Sequence, residues 1–512
     1  MSKSIFATII ALACVVILGP RANAEVRLPS LIGDNMMLQQ HVNVPIWGTA
    51  SPKEHVTVTI GKQTASTTAD PDGRWKVKLK PLQAGGPFTM TIAGKNRITV
   101  RNILVGEVWL CAGQSNMVMT VQQSNDAARE IADAKNYPQI RYYDVKRRAS
   151  SKPLNDTVGK WVICSPETAG KFSAAGYFFA RDIHKTLKAP VGLILSAWGG
   201  SNMEAFVRLD VLKSHPESAA YFKLWEQRKA AFPAELAAAE KKAAQAKAAG
   251  KPVPTMRTLE GHQARPASIY NAMISPLIGF GMRGVLWAGG KANRGRAKEY
   301  SVLMPAMIQD WRKSWGEGDF PFYFCQMANW IPNNPNEHWE ELREAMLKTT
   351  NLKNTGMVVC IDIGDPHNVH PKAKQEVGRR LALIAKSRVY GMKVTYSGPV
   401  YESMRIERSA IRLRFKHVDG GLAARGGGPL NGFAISGADR VFVPAQAVVF
   451  GDTIVVQSEK VRAPVAVRYA WEMNPDCNLV NGAGLPASPF RTDKWPLKRS
   501  GENPTPSGSE TE

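Results

Sequence analysis

The stretch VGEVWLCAGQSNM occupies residues 105–117 and decides how the chain is interpreted. Its first seven residues form an apolar, strand-like run, and a turn of small residues follows before a helical pattern begins. In open α/β sheets, ligands and catalytic groups collect at the carboxyl ends of the strands. Ser115 is therefore a candidate nucleophile, provided that a histidine reaches it and backbone N–H groups face the same point.

A mostly parallel sheet is predicted between residues 104 and 390, because strand-like runs alternate there with helical patterns. The strand-like runs are residues 105–111, 191–197, 283–288, 321–327 and 357–363, and the helical patterns include residues 172–188 and 371–387. A helical insertion is expected at about 207–262, where an Ala- and Lys-rich stretch favours an exposed helix. The fold class predicted for this segment is α/β.

All-β domains are predicted on both flanks of this segment. Residues 25–103 contain short strand-like runs separated by turn formers, which is the pattern of a small β-sandwich. Residues 391–495 return to short alternating strands and predict a second β-domain. The tail, residues 496–512, is polar and rich in Pro, Gly and Ser, so we expect it to be disordered.

The N-terminus has the pattern of a secretory signal peptide. Lys3 precedes an apolar stretch at residues 5–18, and Ala22-Asn23-Ala24 fits a cleavage site, so residues 1–24 are expected to be removed. This predicts a secreted or periplasmic protein, with a retained N-terminal anchor as the alternative. No later apolar stretch reaches the length of about 18 residues that a membrane span needs, so none is expected after cleavage.

The formal net charge of +23 favours an anionic partner: an acidic glycan, an anionic surface or nucleic acid. The basic residues are spread out and are not interleaved with aromatic residues, so no nucleic-acid partner is expected. For an exported protein an anionic polysaccharide is the natural choice, and solubility is the alternative reason for the charge. The five cysteines that follow the signal segment are widely spaced. They form no zinc-like cluster, and no metal or other cofactor is predicted.

His370 is the candidate base for Ser115. It follows the strand-like run 357–363 and precedes Pro371, and proline favours the first turn of a helix, so we expect His370 in or beside the helix N-cap. That position lies at the same sheet edge as Ser115. A capping or turn role is the alternative for His370, and His367 is a second candidate base in the same loop.

Two further strand ends contribute candidate oxyanion donors. Gly200 lies in a glycine pair after the run 191–197, and glycine allows the backbone to approach a ligand closely. Asn293 follows the run 283–288 and could add a side-chain amide. The combination of four strand ends that bring Ser, Gly, Asn and His to one edge is stronger evidence for a catalytic site than any one of these motifs.

At this point the chain resembles the sialate O-acetylesterase family of SGNH hydrolases, over most of residues 26–390. The motifs are GQSNM at 113–117, WGGSNMEAF at 198–206, YNAMISPL at 270–277 and HPKAKQEVGRRLA at 370–382. The resemblance implies a flavodoxin-like catalytic sheet and metal-free removal of O-acetyl groups from sugars. It also implies that Ser115 is the nucleophile, His370 the base, and Gly200 and Asn293 oxyanion contributors. Gln114 and Asn116, on either side of the serine, are expected to contact the substrate.

The sequence departs from the family pattern in two places. Members commonly have Trp-Tyr-Gln-Gly-Glu-Ser/Ala-Asn where this chain has WAGGKAN at 287–293, so Gly289 replaces the Gln and Lys291 replaces the Glu. Lys291 adds positive charge near the pocket and is expected to suit an anionic glycan. The second departure is His367, which stands three residues before His370, where the wider group often has an Asp. Asp365 is then the best local candidate for the acid, because we expect Asp362 to be engaged at the strand end. The alternative is that a backbone carbonyl holds the His370 ring in place of an acid.

The sequence as a whole predicts a secreted carbohydrate O-acetylesterase whose partner is an acetylated glycan. Ser115 would attack the acetyl carbonyl, and His370 would take the proton of the hydroxyl. The alternative is a catalytically weakened glycan-binding protein that uses the same cleft and the basic surface.

Overall fold

The computed structural model describes residues 25–253, 258–332, 334 and 337–496. The predicted signal peptide at residues 1–24 lies outside the described residues, as does the predicted tail from residue 497 onwards.

Within these ranges the chain forms short strands and helices in alternation. In chain order, the strands are β1 (Met37–Gln39), β2 (Val44–Thr49), β3 (His55–Ile60), β4 (Gln63–Thr68), β5 (Arg74–Leu79), β6 (Gly85–Ala93), β7 (Arg97–Gly113), β8 (Ile140–Asp144), β9 (Trp161–Ile163), β10 (Val191–Ala197), β11 (Gly284–Ala288), β12 (Phe322–Cys325), β13 (Thr355–Val358), β14 (Val400–Glu407), β15 (Ala410–Lys416), β16 (Leu422–Ala424), β17 (Phe433–Ser436), β18 (Phe442–Pro444), β19 (Gln446–Phe450), β20 (Thr453–Gln457), β21 (Ala466–Tyr469), β22 (Leu479–Asn481) and β23 (Phe490–Arg491). The α-helices are α1 (Ser115–Val118), α2 (Ala127–Asp133), α3 (Pro166–Ala169), α4 (Ala174–Leu187), α5 (Leu209–Ser214), α6 (Ala219–Ala248), α7 (Ala297–Trp315), α8 (Trp339–Thr349) and α9 (Lys374–Arg388).

The protein is a mixed α/β structure around a central, mostly parallel sheet. The strand order across this sheet is β13-β12-β11-β7-β10-β8-β9, and only β9, which pairs with β8, runs antiparallel. The central strand β7 pairs in parallel with both β10 and β11, and Gly113 at its end is level with Ala197 and Ala288. The loops that follow these three strands therefore leave the sheet at one edge.

Strands β8 and β9, at one side of the sheet, were not among the predicted runs, and β13 is shorter than predicted. The prediction extended the last strand to residue 363, but the ladder with β12 ends at Val358. Beyond that point the chain leaves the ladder, and the carbonyl of Val359 accepts a hydrogen bond of 2.6 Å from the guanidinium of Arg380 in α9 instead of one from a neighbouring strand.

The N-terminal β-strands share a core with the α/β segment. Strand β7 is continuous across the predicted boundary at residues 103 and 104: its first half pairs antiparallel with β6, and its second half lies in the parallel sheet. Strands β4, β3 and β6 extend this layer, while β2 and β5 form a separate two-stranded sheet. One buried cluster runs from this region into the side of the central sheet that α7 and α8 cover. A single strand and a single core therefore join the two regions.

Helices α4 and α9 cover the opposite face of the central sheet and pack against each other. Their contact is close at Gly378 of α9, where an added Cβ would lie 2.5 Å from the Cβ of Phe178 in α4. Ser173 caps the start of α4 by accepting a hydrogen bond from the N–H of Gly176. These helices place the start of α9 beside the end of β7.

The predicted insertion contains α5 and the 30-residue helix α6. In α6, Tyr221 is the one buried residue among those described. Phe222 packs partly on the core and Trp225 contacts His262, and most of the remaining helix is exposed, as the composition predicted. In the part of the chain that the structure describes, none of the helices has the length and apolar character of a membrane span.

The C-terminal residues form additional β-sheets with their own core. One sheet has the order β14-β15-β20-β19, another has the order β18-β17-β21-β23, and β16 pairs with β22. Their buried side chains form one cluster that also includes Val359 and Ile361, which follow β13. This region therefore packs directly against the segment that leads to His370.

Candidate active site

Ser115 is the first residue of α1, two residues beyond the end of β7. The backbone at Gly113 has φ +128°, and a Cβ there would lie 2.3 Å from the carbonyl oxygen of Ala288. Glycine is thus required for β7 and β11 to approach at this point. The N–H of Trp198 donates to the carbonyl of Gly113 at 3.0 Å, so the end of β10 is fixed to the same turn.

Ser115 lies on the wall of a cleft at this edge of the sheet. Its walls come from the ends of β7, β11 and β12, from the segment after β13, and from α8 and α9. The lining residues are Gln114, Ser115, Asn116, Ala288, Gly289, Gly290, Lys291, Cys325, Gln326, Met327, Ala328, Trp339, Cys360, Val369, Pro371, Lys374 and Val377. The predicted site residues Ser115, Gln114, Asn116 and Lys291 are thus brought together.

The side chain of Gln114 joins three loops. Its amide nitrogen donates to the carbonyl of Ser201, after β10, and its amide oxygen accepts a hydrogen bond of 3.0 Å from the N–H of Gly290, after β11. The residue is 4% exposed. Gln114 was predicted to contact substrate, but its amide is engaged by the protein, and it holds the turns around Ser115 in place.

The side chain of Asn116 connects the serine turn to the histidine loop. Its amide nitrogen donates to the carbonyl of Val369 at 3.2 Å, and Val369 directly precedes His370. Its amide oxygen accepts a hydrogen bond of 2.6 Å from the ammonium of Lys374. Asn116 was also predicted to contact substrate, and the structure instead shows both ends of its amide bonded within the protein.

His370 is half-buried in the loop between β13 and α9. Helix α9 begins at Lys374 with Ala373 as its N-cap, so the predicted helix start at Pro371 is wrong. The carbonyl of Lys372, just before the helix, accepts the N–H of Asn125 at 2.9 Å and the N–H of Lys374 at 2.8 Å. His370 therefore lies in the loop rather than at the cap, and its own N–H bonds the side chain of Asn368 at 2.8 Å.

The two candidate acids of this loop have different partners. The side chain of Asp362 is 5% exposed and bonds Arg380 through both oxygens at 2.7 Å. Arg425 also pairs with it at 2.5 Å, so Asp362 is engaged at the strand end as expected. Asp365 accepts the N–H of His367 at 2.8 Å and shapes the turn just before His370. His367 itself is exposed.

Asn293 and Gly200 do not line the cleft. The Asn293 side chain is fully buried: its amide nitrogen donates to Glu204 at 2.8 Å, and its amide oxygen accepts the N–H of Met203 at 3.0 Å. It thus holds the loop after β11 against the loop after β10, which differs from the predicted role as an oxyanion donor. Gly200 is exposed in the turn after β10 and has φ +68°, as a glycine in a tight turn allows.

Lys291 lies on the cleft wall with its ammonium 4.9 Å from the centre of the Trp330 ring. Trp330 in turn packs on Trp339 of α8, with 5.0 Å between ring centres. The predicted replacement of an acid by a base therefore puts a positive charge on the wall, beside an aromatic pair.

Sequence reasoning missed several residues that build this cleft. Lys374 is buried on the wall of the cleft. The sequence feature that could have pointed to Lys374 is its position only four residues after the candidate base His370. Arg343 of α8 is fully buried and bonds the carbonyls of Met327 and Ala328, which line the cleft. It also bonds the carbonyl of Met473 and so ties the wall to the C-terminal region, a long-range contact without a local sequence signal.

Comparison with known proteins bears on the activity of this cleft. Residues 105–239 and 258–386, about half of the chain, match the model of a carbohydrate esterase family described as sialic acid-specific acetylesterase. The chain belongs to this carbohydrate esterase family. It is 28% identical to the sialate O-acetylesterase of Mus musculus over 91% of this chain and 94% of that protein. The identity with the Homo sapiens sialate O-acetylesterase is also 28%, over 93% of this chain and 94% of that protein.

Among solved structures, the chain is similar to a carbohydrate acetylesterase from Xanthomonas citri. The TM-score is 0.79 with 36% sequence identity, and the match covers 92% of this chain and all of that one. This likeness extends over the N-terminal, central and C-terminal regions alike. Like these relatives, this member of the family is a carboxylic ester hydrolase.

Proposed function

We propose that this protein is a secreted O-acetylesterase of carbohydrates and that its central domain is a flavodoxin-like SGNH hydrolase. The strands that carry the site, β10-β7-β11-β12-β13, have the order 2-1-3-4-5 when numbered by their sequence order among these five. That is the order of flavodoxin-like sheets, with β8 and β9 added at one edge. Export is supported by the apolar stretch at residues 5–18 and the Ala22-Asn23-Ala24 motif.

The observation that carries the proposed mechanism is the hydrogen bond from Asn116 to Val369, because it holds the residues next to Ser115 and His370 together. In the first step, the Ser115 hydroxyl oxygen attacks the acetyl carbonyl carbon while His370 accepts the hydroxyl proton. The sugar hydroxyl then leaves with that proton, and an acetyl-serine ester remains. Water, deprotonated by His370, attacks this ester, and acetate and the free serine are released.

The backbone N–H of Ser115 is the first proposed oxyanion donor. The N–H of Gly200 is the second: Gly200 is outside the cleft lining, but its turn is fixed to the serine turn by the hydrogen bond from the N–H of Trp198 to the carbonyl of Gly113. The buried Asn293 is assigned a supporting role, because its amide bonds Glu204 and the N–H of Met203. Asp365 is the proposed acid for His370. One of its carboxylate oxygens accepts the N–H of His367, and a carboxylate has a second oxygen to offer an imidazole.

The charges on the cleft wall favour an acetylated glycan that is itself anionic. Among the described residues that line the cleft, the ionisable side chains that carry charge are Lys291 and Lys374, and none of the lining side chains is acidic. The chain as a whole has a formal net charge of +23. A negative substrate is therefore attracted both toward the protein and within the cleft.

Hydrolysis of an aryl acetate by the purified mature protein tests this proposal. Wild-type protein is expected to release the phenol, and Ser115→Ala and His370→Ala are expected to lose activity by about 10³-fold or more. Ser301→Ala is a matched control, because the Ser301 hydroxyl bonds a carbonyl within its own helix, α7. A folded wild-type protein that binds acetylated glycans but shows no more hydrolysis than Ser115→Ala would instead be a glycan-binding protein.

Two further experiments test the substrate and the export of the protein. Acetate release from a panel of acetylated neutral and anionic glycans identifies the substrate. N-terminal sequencing of the exported protein tests the cleavage site.

A further inference from the structure

Lys374 is buried in a place where a lysine is costly. Its residue is 2% exposed at the start of α9, and its side chain forms part of the cleft wall beside Ser115. Lysine side chains are almost never buried unless a partner compensates for the lost hydration. The partner here is the amide oxygen of Asn116, 2.6 Å from the ammonium nitrogen.

The hydrogen bonds of Asn116 complete a closed ring. From its amide nitrogen the ring passes to the carbonyl of Val369, along the backbone through His370 to Lys374, and from the Lys374 ammonium back to the amide oxygen. Ser115 adjoins the ring on one side, and His370 is part of it on the other. A shift of one loop relative to the other therefore breaks at least one of these hydrogen bonds.

The groups that face the ammonium come from three elements. They are the Asn116 amide of α1, the thiol of Cys325 at the end of β12, and the thiol of Cys360 after β13. Burial lowers the pKa of Lys374 to about 8. A hydrogen bond with Cys360, together with burial, raises the pKa of Cys325 well above its usual range. The Cys325 thiol is therefore neutral at the pH where Lys374 loses its proton.

We propose that Lys374 is a positioning residue for catalysis: through Asn116, it holds the Ser115 turn at its working distance from the His370 loop. This inference rests on the proposed roles of Ser115 and His370. A charged ammonium donates a stronger hydrogen bond to an amide oxygen than a neutral amine does. The ring is therefore tightest when Lys374 is protonated, and it loosens as the pH rises through the pKa of this lysine.

The expected fall of activity with rising pH is not explained by a loss of folding stability. Because the pKa of Lys374 is lower in the folded chain than the ordinary value of 10.5, the unfolded chain binds more protons between about pH 8 and 10.5. The contribution of this group to stability therefore increases with pH in that window. A fall in activity over the same window, without unfolding, points to the hydrogen-bonded ring.

The test is aryl acetate hydrolysis between pH 6 and 10 by the full mature chain and by Lys374→Met. At pH 7, kcat is expected to fall by about 10- to 100-fold in the variant while KM stays within about 2-fold, because a small misplacement of catalytic groups has that effect on rate. The alkaline decline of the wild-type kcat near pH 8 is expected to be absent from the variant. Lys372→Met is the matched control, because Lys372 is exposed two residues away and its side chain does not enter the ring.

Asn116→Ala supplies a second route if Lys374→Met does not fold. It removes the same ring while the lysine stays in place, and kcat and the alkaline decline are expected to change as in Lys374→Met, with less than additive losses in the double variant. Wild-type kcat and an unchanged alkaline decline in either folded variant would overturn this inference. The proposed function has its own test, since its failure would show as an inactive wild-type protein or an active Ser115→Ala variant.

Discussion

The amide of Asn293 donates a hydrogen bond of 2.8 Å to the carboxylate of Glu204, and both side chains are completely buried. The same carboxylate bonds the guanidinium of Arg296, whose side chain is 4% exposed. One buried charge pair and one amide thus join the loops after β10 and β11 behind the cleft. These loops hold Gly200 and Lys291, so the pair supports both sides of the candidate site.

Replacement of Glu204 by Gln is expected to destabilise the fold by about 3–5 kcal/mol, because it leaves the Arg296 guanidinium buried without its counter-charge. Urea denaturation measures the change in the free energy of unfolding. Asp210→Asn is the control, since Asp210 is the exposed partner of Arg208 and is expected to change stability by less than about 0.5 kcal/mol. A loss below about 1 kcal/mol for Glu204→Gln would contradict the structural role of this pair.

Replacement of Gly113 by Ala is expected to destabilise the protein by about 3 kcal/mol or more. The new Cβ would lie 2.3 Å from the Ala288 carbonyl oxygen, and the backbone has φ +128°. Thermal unfolding checks this against Gly33→Ala, where the nearest atom that the Cβ would meet is 4.0 Å away. Equal melting temperatures for the two variants would show that the end of β7 has more room than the structure indicates.

Replacement of Lys291 by Met is expected to raise KM about 5- to 10-fold for an acetylated oligosaccharide that contains uronate, because about 1 kcal/mol of charge attraction is lost. KM for a neutral acetylated oligosaccharide is expected to stay the same. Lys298→Met, on the exposed side of α7, serves as the matched control. If KM changes equally for both substrates, Lys291 contributes to binding without selecting for charge.

Replacement of Asp362 by Asn is expected to destabilise the protein at pH 7 by about 3–5 kcal/mol, with a smaller difference in acid. Burial alone would raise the pKa of Asp362, but hydrogen bonds and charges from Arg380 and Arg425 outweigh burial and hold its pKa below 3.8. The carboxylate therefore contributes stability above pH 3.8, and that contribution is lost as the pH falls through the lowered pKa. Urea denaturation from pH 2 to 7 measures the difference, and Asp319→Asn, at an exposed pair, is the control. A difference that is constant with pH would contradict the assigned ion pair.

Replacement of Asp365 by Asn is expected to lower kcat for an aryl acetate by about 10²- to 10⁴-fold, as removal of a triad acid does elsewhere. His367→Ala is the matched variant, because it keeps the N–H that Asp365 binds and removes only an exposed ring. It is expected to retain nearly full activity. The reverse ranking of the two variants would favour His367 as the functional group, and near wild-type rates in both would leave a backbone carbonyl to orient His370.

The sequence predicted the features of this fold that depend on local pattern. The apolar run and the turn of small residues around Ser115 mark the end of a strand, and Ser115 does lie two residues beyond the end of β7. The alternation of strands and helices likewise predicted the central sheet. Strand β8 was missed because Arg141 and Asp144 interrupt its apolar run, and β9 was missed because it has only three residues. The helix start at Pro371 was wrong: proline favours a first turn locally, but the helix begins at Lys374, and the carbonyl of Lys372 bonds the N–H groups of the distant Asn125 and of Lys374.

Which polar side chains meet in space depended on tertiary structure. A side-chain amide can form hydrogen bonds with a substrate or with another part of the protein. The sequence neighbours of Asn116, Asn293 and Gln114 do not show which of these two roles each amide has. The fold decides, because each amide faces a partner that is remote in sequence: Val369, Glu204 and Gly290, respectively.

The sequence by itself thus determined the place of Ser115, the family and the parallel sheet, because strand period, turn residues and motifs are local properties of the chain. Only the tertiary structure decided that Lys374 is buried beside Ser115, and that Asn293 lies behind the cleft and not on its wall. The physical reason is that a buried polar group takes whichever partner the packing of distant segments brings to it. That partner is set by how the ends of β7, β10, β11 and β13 come together.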